Sequence, residues 1–439
     1  MSDSIVDIAK AARAASLVLS QATLEERNGA LDAIAGALRA NADSIMKANA
    51  RDLAAASKAN LAMPLVKRLK VDADKVDEIV TGVQSVRQQS DPLGETLKAT
   101  ELDEGLRLYR VSVPIGVIGV IFESRPDALV QIATLCLKSG NAALLKGGSE
   151  ALETNRVLAK LILDATKGMP GIPEGWMHLM EAREEVRALL DLHDDVDLII
   201  PRGGNDLVQY IMDNTKIVVM GHADGICHVY VDAAAELAKA MKVCVDAKVQ
   251  YPAVCNAAET ILVHRDVAVA LLPELVAKLQ SQGVEVRGDE GVRAVVSEDV
   301  VPATEADWAT EYLDLIVSIR VVDGLDQAVD HINRYGSHHT DAILTEDATV
   351  ANRFLRAVDS ASVVHNASTR FADGFRYGLG AEVGISTNRL HSRGPVGLDG
   401  LVIYKYVLLG DGQVAGDYVG PSARPFLHRP LDSSWNPDR

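Results

Sequence analysis

The chain has 439 residues, with Lys+Arg 44 against Asp+Glu 61, a formal net charge of −17, 48% hydrophobic residues and 4% aromatics. This length and apolar fraction describe an ordinary globular protein of two or three domains and exclude a disordered one. The acidic balance argues against nucleic acid or an anionic membrane surface as the main partner, because both attract basic surfaces; a locally positive pocket for a small anion stays open.

Met1-Ser2-Asp3-Ser4 lacks the basic start and apolar run of a secretory signal. The longest charge-free stretch, Val111–Phe122, is 12 residues, where a membrane helix needs about 20. Cys136, Cys227, Cys244 and Cys255 have no CxxC spacing. A soluble protein of the reducing cytoplasm is therefore expected.

In chain order, Ile5, Ile8, Ala12, Ala15 and Leu19 predict a first helix. Thr23 and Glu26 form a capping box for a second, buried through Leu31, Ile34 and Leu38. Two more helices are expected at Asn41–Asn60 and Val71–Gln89. Asp91-Pro92-Leu93-Gly94 breaks this pattern, and Leu106–Val113 alternates as a strand. Strands and helices then take turns: Val117–Ile121 strand, Asp127–Lys138 helix, Ala142–Leu145 strand, Glu150–Ala165 helix, Trp176–Leu179 strand, Glu184–Leu190 helix and Asp197–Ile200 strand. Asp206–Met212 and Ile217–Val219 continue the alternation. Short, fully apolar strands between helices predict an α/β fold with a parallel sheet. A second α/β block begins near Ala233, with helices at Ala233–Val245 and Val267–Leu279. Its strands are expected at Thr260–Val263, Leu315–Val321, Ala342–Thr345 and Ser362–Val364. Leu401–Leu408 alternates again.

Neither a P-loop nor a GxGxxG fingerprint is present. Two strand–Gly–helix turns remain, Leu145-Lys146-Gly147-Gly148-Ser149 and Ile200-Pro201-Arg202-Gly203-Gly204-Asn205. Carboxyl ends of parallel strands are where α/β proteins bind ligands, and glycines there admit a pyrophosphate. Each turn alone reads equally as a tight turn with a capping residue; two in one sheet favour nucleotide binding. Cys255 lies in an uncharged run, Gln250-Tyr251-Pro252-Ala253-Val254-Cys255-Asn256, that enters an apolar strand. A thiol there is either a nucleophile for an acyl centre or an inert packing residue. Cys136, Cys227 and Cys244 read as packing residues. His338-His339 has no companion ligand spacing, so no metal is expected. Ser124-Arg125-Pro126, Thr369-Arg370 and His391-Ser392-Arg393-Gly394 offer arginines suited to carboxylate or phosphate.

These residues carry a resemblance to the aldehyde dehydrogenase superfamily. Its most specific stretch is Val322–Ile343, with Ala328-Val329, His331-Ile332, Tyr335-Gly336-Ser337 and His339-Thr340-Asp341. Val113–Gly119 running into Glu123-Ser124-Arg125-Pro126, together with Gln250–Asn256 and Gly384–Lys405, adds to it. Within the superfamily the chain is most similar to members that reduce L-glutamyl 5-phosphate to glutamate 5-semialdehyde and phosphate in proline biosynthesis. The resemblance implies an NADPH-binding domain at 1–95 and 110–232, a catalytic domain at 233–399, and an oligomerisation arm at 96–109 and 400–439. It implies a homo-oligomer, with the upstream glutamate kinase as a partner.

By resemblance Cys255 is the nucleophile and forms a thioester. Lys146, Ser149, Gly203, Gly204 and Glu311 bind NADPH, and Ser124, Arg125, Asn256 and Arg370 bind substrate, with the Gly378–Gly380 loop a further candidate. The Cys255 N–H and a donor near Ser124-Arg125 would hold the oxyanion. Hydrolysing relatives carry a glutamate two residues ahead of Gly221 as general base; here Val219 stands there, so a thioester would persist. NAD-preferring relatives carry a glutamate where this chain has Ser149, and a carboxylate would repel a 2′-phosphate. Another acyl phosphate or acyl-CoA reductase, or a non-catalytic scaffold, are the alternatives.

Overall fold

The computed structural model describes residues 4–436 apart from 62, 124, 222–223 and 297–299. The first lobe is built on a five-stranded parallel sheet in the order Met177–Met180, Ala142–Lys146, Val117–Phe122, Leu198–Arg202, Val218–Val219. The side-chain period of two splits the central strand between two cores. Ile118, Val120 and Phe122 join the helices Leu24–Ala40, Ala73–Gln88, Pro126–Lys138 and Leu152–Thr166 on one face. Val117 and Ile121 join Ala9, Ala12, Leu189 and Ile211 on the other.

Local chemistry sets the ends of these elements. The Thr23–Glu26 capping box forms: Glu26 N–H donates to Thr23 Oγ1, and Thr23 N–H to Glu26 Oε2. Asp52 caps the Leu152–Thr166 helix from a distance, its carboxylate accepting the N–H groups of Glu153 and Thr154. The central strand begins at a clamp. Asp197 Oδ2 accepts Val117 N–H at 2.8 Å and pairs with Arg13 at 2.7 Å. A Cβ at Gly116, whose φ is +133°, would stand 2.1 Å from that oxygen, so only glycine fits.

The second lobe is a seven-stranded sheet in the order Val301–Pro302, Glu285–Gly288, Ile316–Val322, Ala258–His264, Cys227–Val231, Thr340–Leu344, Ser362–His365, parallel throughout. Helices Leu237–Val249 and Arg265–Ser281 pack on one face, and Leu325–Tyr335 and Ala348–Ala357 on the other.

The helix expected from Ala233 starts at Leu237, because the Glu236 carboxylate accepts the N–H groups of Ala238 and Lys239 and caps it there. Strand Cys227–Val231 falls outside the sequence expectation. The expected single block 233–399 is also divided: Ala381, Val383, Val396 and Leu398 are buried in the core of the first lobe.

The arm is a four-stranded antiparallel sheet in the order Val402–Leu409, Leu106–Pro114, Thr96–Asp103, Arg429–Pro430. Its second strand runs on to Pro114, beyond the expected limit at 109, because it pairs with Val402–Leu409 along its length. Among the described residues no helix is long and apolar enough to cross a membrane.

Candidate active site

In the first sheet the chain runs from the central strand through Ala142–Lys146 to Met177–Met180, then returns to Leu198–Arg202 on the opposite side of the centre. The order therefore reverses between Val117–Phe122 and Leu198–Arg202, and a crevice opens beyond their carboxyl ends. Glu123, Arg125, Arg202, Gly203 and Gly204 lie there. Glu123 N–H donates to the Arg202 carbonyl, and the Glu123 carboxylate accepts Gly204 N–H at 3.1 Å, at the start of helix Asn205–Asp213. A carboxylate thus already occupies an anion-binding helix terminus. Lys146 sits at the same carboxyl edge, two strands from Arg202. Its ammonium donates to the Gly147 carbonyl at 2.5 Å. Ser149 opens the short 3-10 turn that follows, where the Glu150 carboxylate folds back against Gly148.

Cys255 lies at the amino edge of the second sheet, between helix Leu237–Val249 and strand Ala258–His264. Its backbone is pressed against Gly225: a Cβ there would stand 2.3 Å from the Cys255 carbonyl oxygen and 2.5 Å from its Cβ. Cys227 Sγ donates to the same carbonyl at 3.2 Å. Asn256 is 4% exposed; its amide donates to the Ala372 carbonyl and its own carbonyl accepts Thr369 Oγ1. Asn256 thus helps to seat the Cys255 loop, and its side-chain Oδ1 is buried with no hydrogen-bond partner among the described residues. Arg370, also buried, donates from Nε to Gln250 Oε1 at 3.0 Å.

Burial pushes the Cys255 thiol up to about 12; the carboxylates of Glu311 and Glu382 add to the rise, and Arg370 opposes it. Burial likewise raises Glu311, against hydrogen bonds from Gly225 N–H and the Asn205 side chain. Glu382 is raised by burial, with Arg202 opposing, and accepts Gly374 N–H at 2.8 Å. Burial lowers the basicity of Arg202, whose Nη1 is buried with no hydrogen-bond partner among the described residues.

The structure therefore gathers Cys255, Glu311, Arg370 and Arg125 with two groups absent from the sequence expectation, Arg202 and Glu382. Ser124 lies outside the described residues. Gly378–Gly380 docks on the first lobe, where the Leu379 carbonyl accepts Gln89 Nε2 at 2.9 Å. The arrangement pairs a thiol and two basic carboxylates with guanidinium groups suited to a phosphate or carboxylate.

The aldehyde dehydrogenase family model matches residues 2–301. A relative from Methanococcoides burtonii named gamma-glutamyl phosphate reductase is 56% identical over 96% of both chains. One of the same name from Haloquadratum walsbyi is 57% identical, over 97% of this chain and 94% of its own. The crystal structure of gamma-glutamyl phosphate reductase from Thermotoga maritima superposes with a TM-score of 0.91 at 44% identity, covering 94% of this chain and all of that one.

The chain belongs to the gamma-glutamyl phosphate reductase family of aldehyde dehydrogenases. It is an oxidoreductase with the aldehyde dehydrogenase fold. Likeness to this reductase family covers both edges of the crevice, whereas the broader family model ends at 301, ahead of Glu311, Arg370 and Glu382.

Proposed function

We propose that the enzyme reduces L-glutamyl 5-phosphate to L-glutamate 5-semialdehyde and phosphate with NADPH, through a thioester on Cys255, as a step of proline biosynthesis in the cytoplasm. The observation that carries this reading is Cys255 within electrostatic range of Arg202, at the carboxyl end of strand Leu198–Arg202 beside the switch point, in a chain 56% identical to a named reductase of this substrate.

Gly203, Gly204 and Glu311 would hold NADPH at the crevice, and Lys146 and Ser149 its adenosine end. The fit rests on the Gly204 N–H, which already takes the Glu123 carboxylate, and on the half-buried Glu311 carboxylate held by Gly225 and Asn205. NADPH bound there supplies hydride.

The protein's own residues do the rest. Glu311 or Glu382, both made more basic by burial, takes the thiol proton. The sulfur attacks C5, the C5–O bond to phosphate breaks, and phosphate leaves against Arg202, Arg125 and Arg370. Cys255 would leave as thiolate when the thioester is reduced, and the aldehyde would form. Val219, where hydrolysing relatives carry a glutamate, leaves no carboxylate there to activate water. The acyl phosphate comes from a kinase acting on the glutamate side chain. The exposed edge strand Val402–Leu409, with Tyr406 62% and Leu408 56% exposed, supports a homo-oligomer.

The reaction run in reverse tests the reading. NADP reduction by glutamate 5-semialdehyde should require inorganic phosphate and vanish in Cys255→Ala. Phosphate-independent turnover, or full activity in Cys255→Ala, would contradict it.

A further inference from the structure

We propose that the buried Lys248–Glu259 ion pair is a positioning device that holds Cys255 and Glu311 in register across the crevice. The proposal rests on Cys255 as the nucleophile and Glu311 as the carboxylate facing it.

Both side chains are 0% exposed, with Lys248 Nζ 2.5 Å from Glu259 Oε2. Lys248 belongs to the last turn of helix Leu237–Val249, and Glu259 is the second residue of strand Ala258–His264. The segment between them, 249–258, carries Cys255, so the ion pair closes the Cys255 loop at its base. The other carboxylate oxygen does different work. Glu259 Oε1 accepts Leu313 N–H at 3.3 Å, in the segment that carries Glu311. Leu313 has φ +52°, a left-handed conformation that non-glycine residues rarely adopt. Lys248 also lies 5.9 Å from the ring of Tyr312, whose hydroxyl is anchored to Asp307 and Ser318 at 2.8 and 2.7 Å.

One carboxylate thus joins the two ends of the Cys255 loop to the Glu311 segment. Burying two charges is a poor way to gain stability, and a well-packed apolar pair often matches or exceeds it. What an apolar pair cannot supply is the acceptor for Leu313 N–H or the directional closure of the Cys255 loop. Burial lowers Lys248 and raises Glu259, so desolvation works against both charges, and their mutual attraction opposes it. The groups that face the Cys255 thiol are Glu311, Glu382 and Arg370, with Arg202 also within electrostatic range.

The test is the pH profile of Cys255 alkylation by iodoacetamide, which depends on no assumption about substrate or cofactor, together with kcat in the reverse reaction. K248M/E259L removes both contacts without leaving a lone charge. It should move the profile to lower pH by about one unit as Glu311 loosens, with kcat about 100-fold lower and an unchanged or higher melting temperature. In a Glu311→Gln background the same double substitution should produce no further shift. K248M/E259Q keeps an oxygen for Leu313; it should leave the profile in place and lower kcat about tenfold. An unmoved profile in K248M/E259L, or an equal shift with Glu311→Gln already present, would overturn the proposal. If K248M/E259L does not fold, K248M/E259Q decides alone: wild-type kcat, or a shifted profile, overturns it. Loss of phosphate dependence with these results intact would instead count against the substrate reading.

Discussion

The two edges of the crevice are built by opposite means. The carboxyl edge of the first sheet relies on glycine turns and a helix terminus, with Glu123 on Gly204 N–H and Lys146 on the Gly147 carbonyl. The amino edge of the second sheet stands on buried polar pairs. Lys248 pairs with Glu259, and His228 with Asp341 at 2.8 Å, all four side chains 0% exposed. Arg320 reaches His331 Nδ1 at 2.9 Å on the same lobe. An edge that grips a long, flexible ligand can use backbone groups and open turns. An edge that must hold one sulfur atom in place uses directional contacts that tolerate no slack.

The largest effect that would break this contrast is at Gly225. An added methyl group must displace the Cys255 backbone, because its carbon would lie 2.3–2.5 Å from Cys255 atoms. Gly225→Ala should lower kcat by about 100-fold, as a misplacement near 1 Å does. Alanine at Gly204, which meets open space, should be far milder. Equal losses in steady-state kinetics would show that the two edges do not differ in tolerance.

Next comes Arg202, the carboxyl edge's buried guanidinium. Loss of a charge-assisted contact to a substrate anion is worth about 1.5–3 kcal/mol, so Arg202→Gln should lower kcat/KM by roughly 10- to 100-fold. An Arg202→Gln enzyme with unaltered kcat/KM would remove it from the anion site.

The smallest effect sharpens the electrostatics. With the thiol pushed up to about 12, alkylation of Cys255 should quicken with rising pH across the neutral and alkaline range. Glu311 and Glu382 both raise the thiol, so Glu311→Gln or Glu382→Gln lowers its pKa and increases the thiolate at neutral pH. Each should speed alkylation there by up to about tenfold, whereas Arg370→Ala should slow it.

How far the sequence reveals this site follows from how local each signal is. The four helices expected in the first ninety residues, the alternating strands and the glycine turns rest on spacing within one element and are found; the short helix Met63–Leu69 falls outside the expectation. Cys255 is legible because an uncharged run brackets it. Gly225 is not, because its requirement comes from a backbone thirty residues later. Arg202 reads as one more turn arginine until topology sets it beside Glu382. Helix Leu325–Tyr335 is not among the expected helices, although Leu325, Ala328, Val329 and Ile332 recur at helical spacing and pack into one core. Asn256, next to Cys255 in sequence, is expected to touch substrate; its amide contact with the Ala372 carbonyl is a tertiary one that spacing does not give.

The central claim is an acyl thioester on Cys255 that waits for phosphate because no carboxylate stands at Val219 to activate water. Intact-protein mass spectrometry of the enzyme mixed with NADP and glutamate 5-semialdehyde, without phosphate, tests it most directly. A glutamyl adduct on Cys255 that persists and is released on adding phosphate is the predicted result. No adduct on Cys255, or one that disappears equally fast without phosphate, would contradict the account.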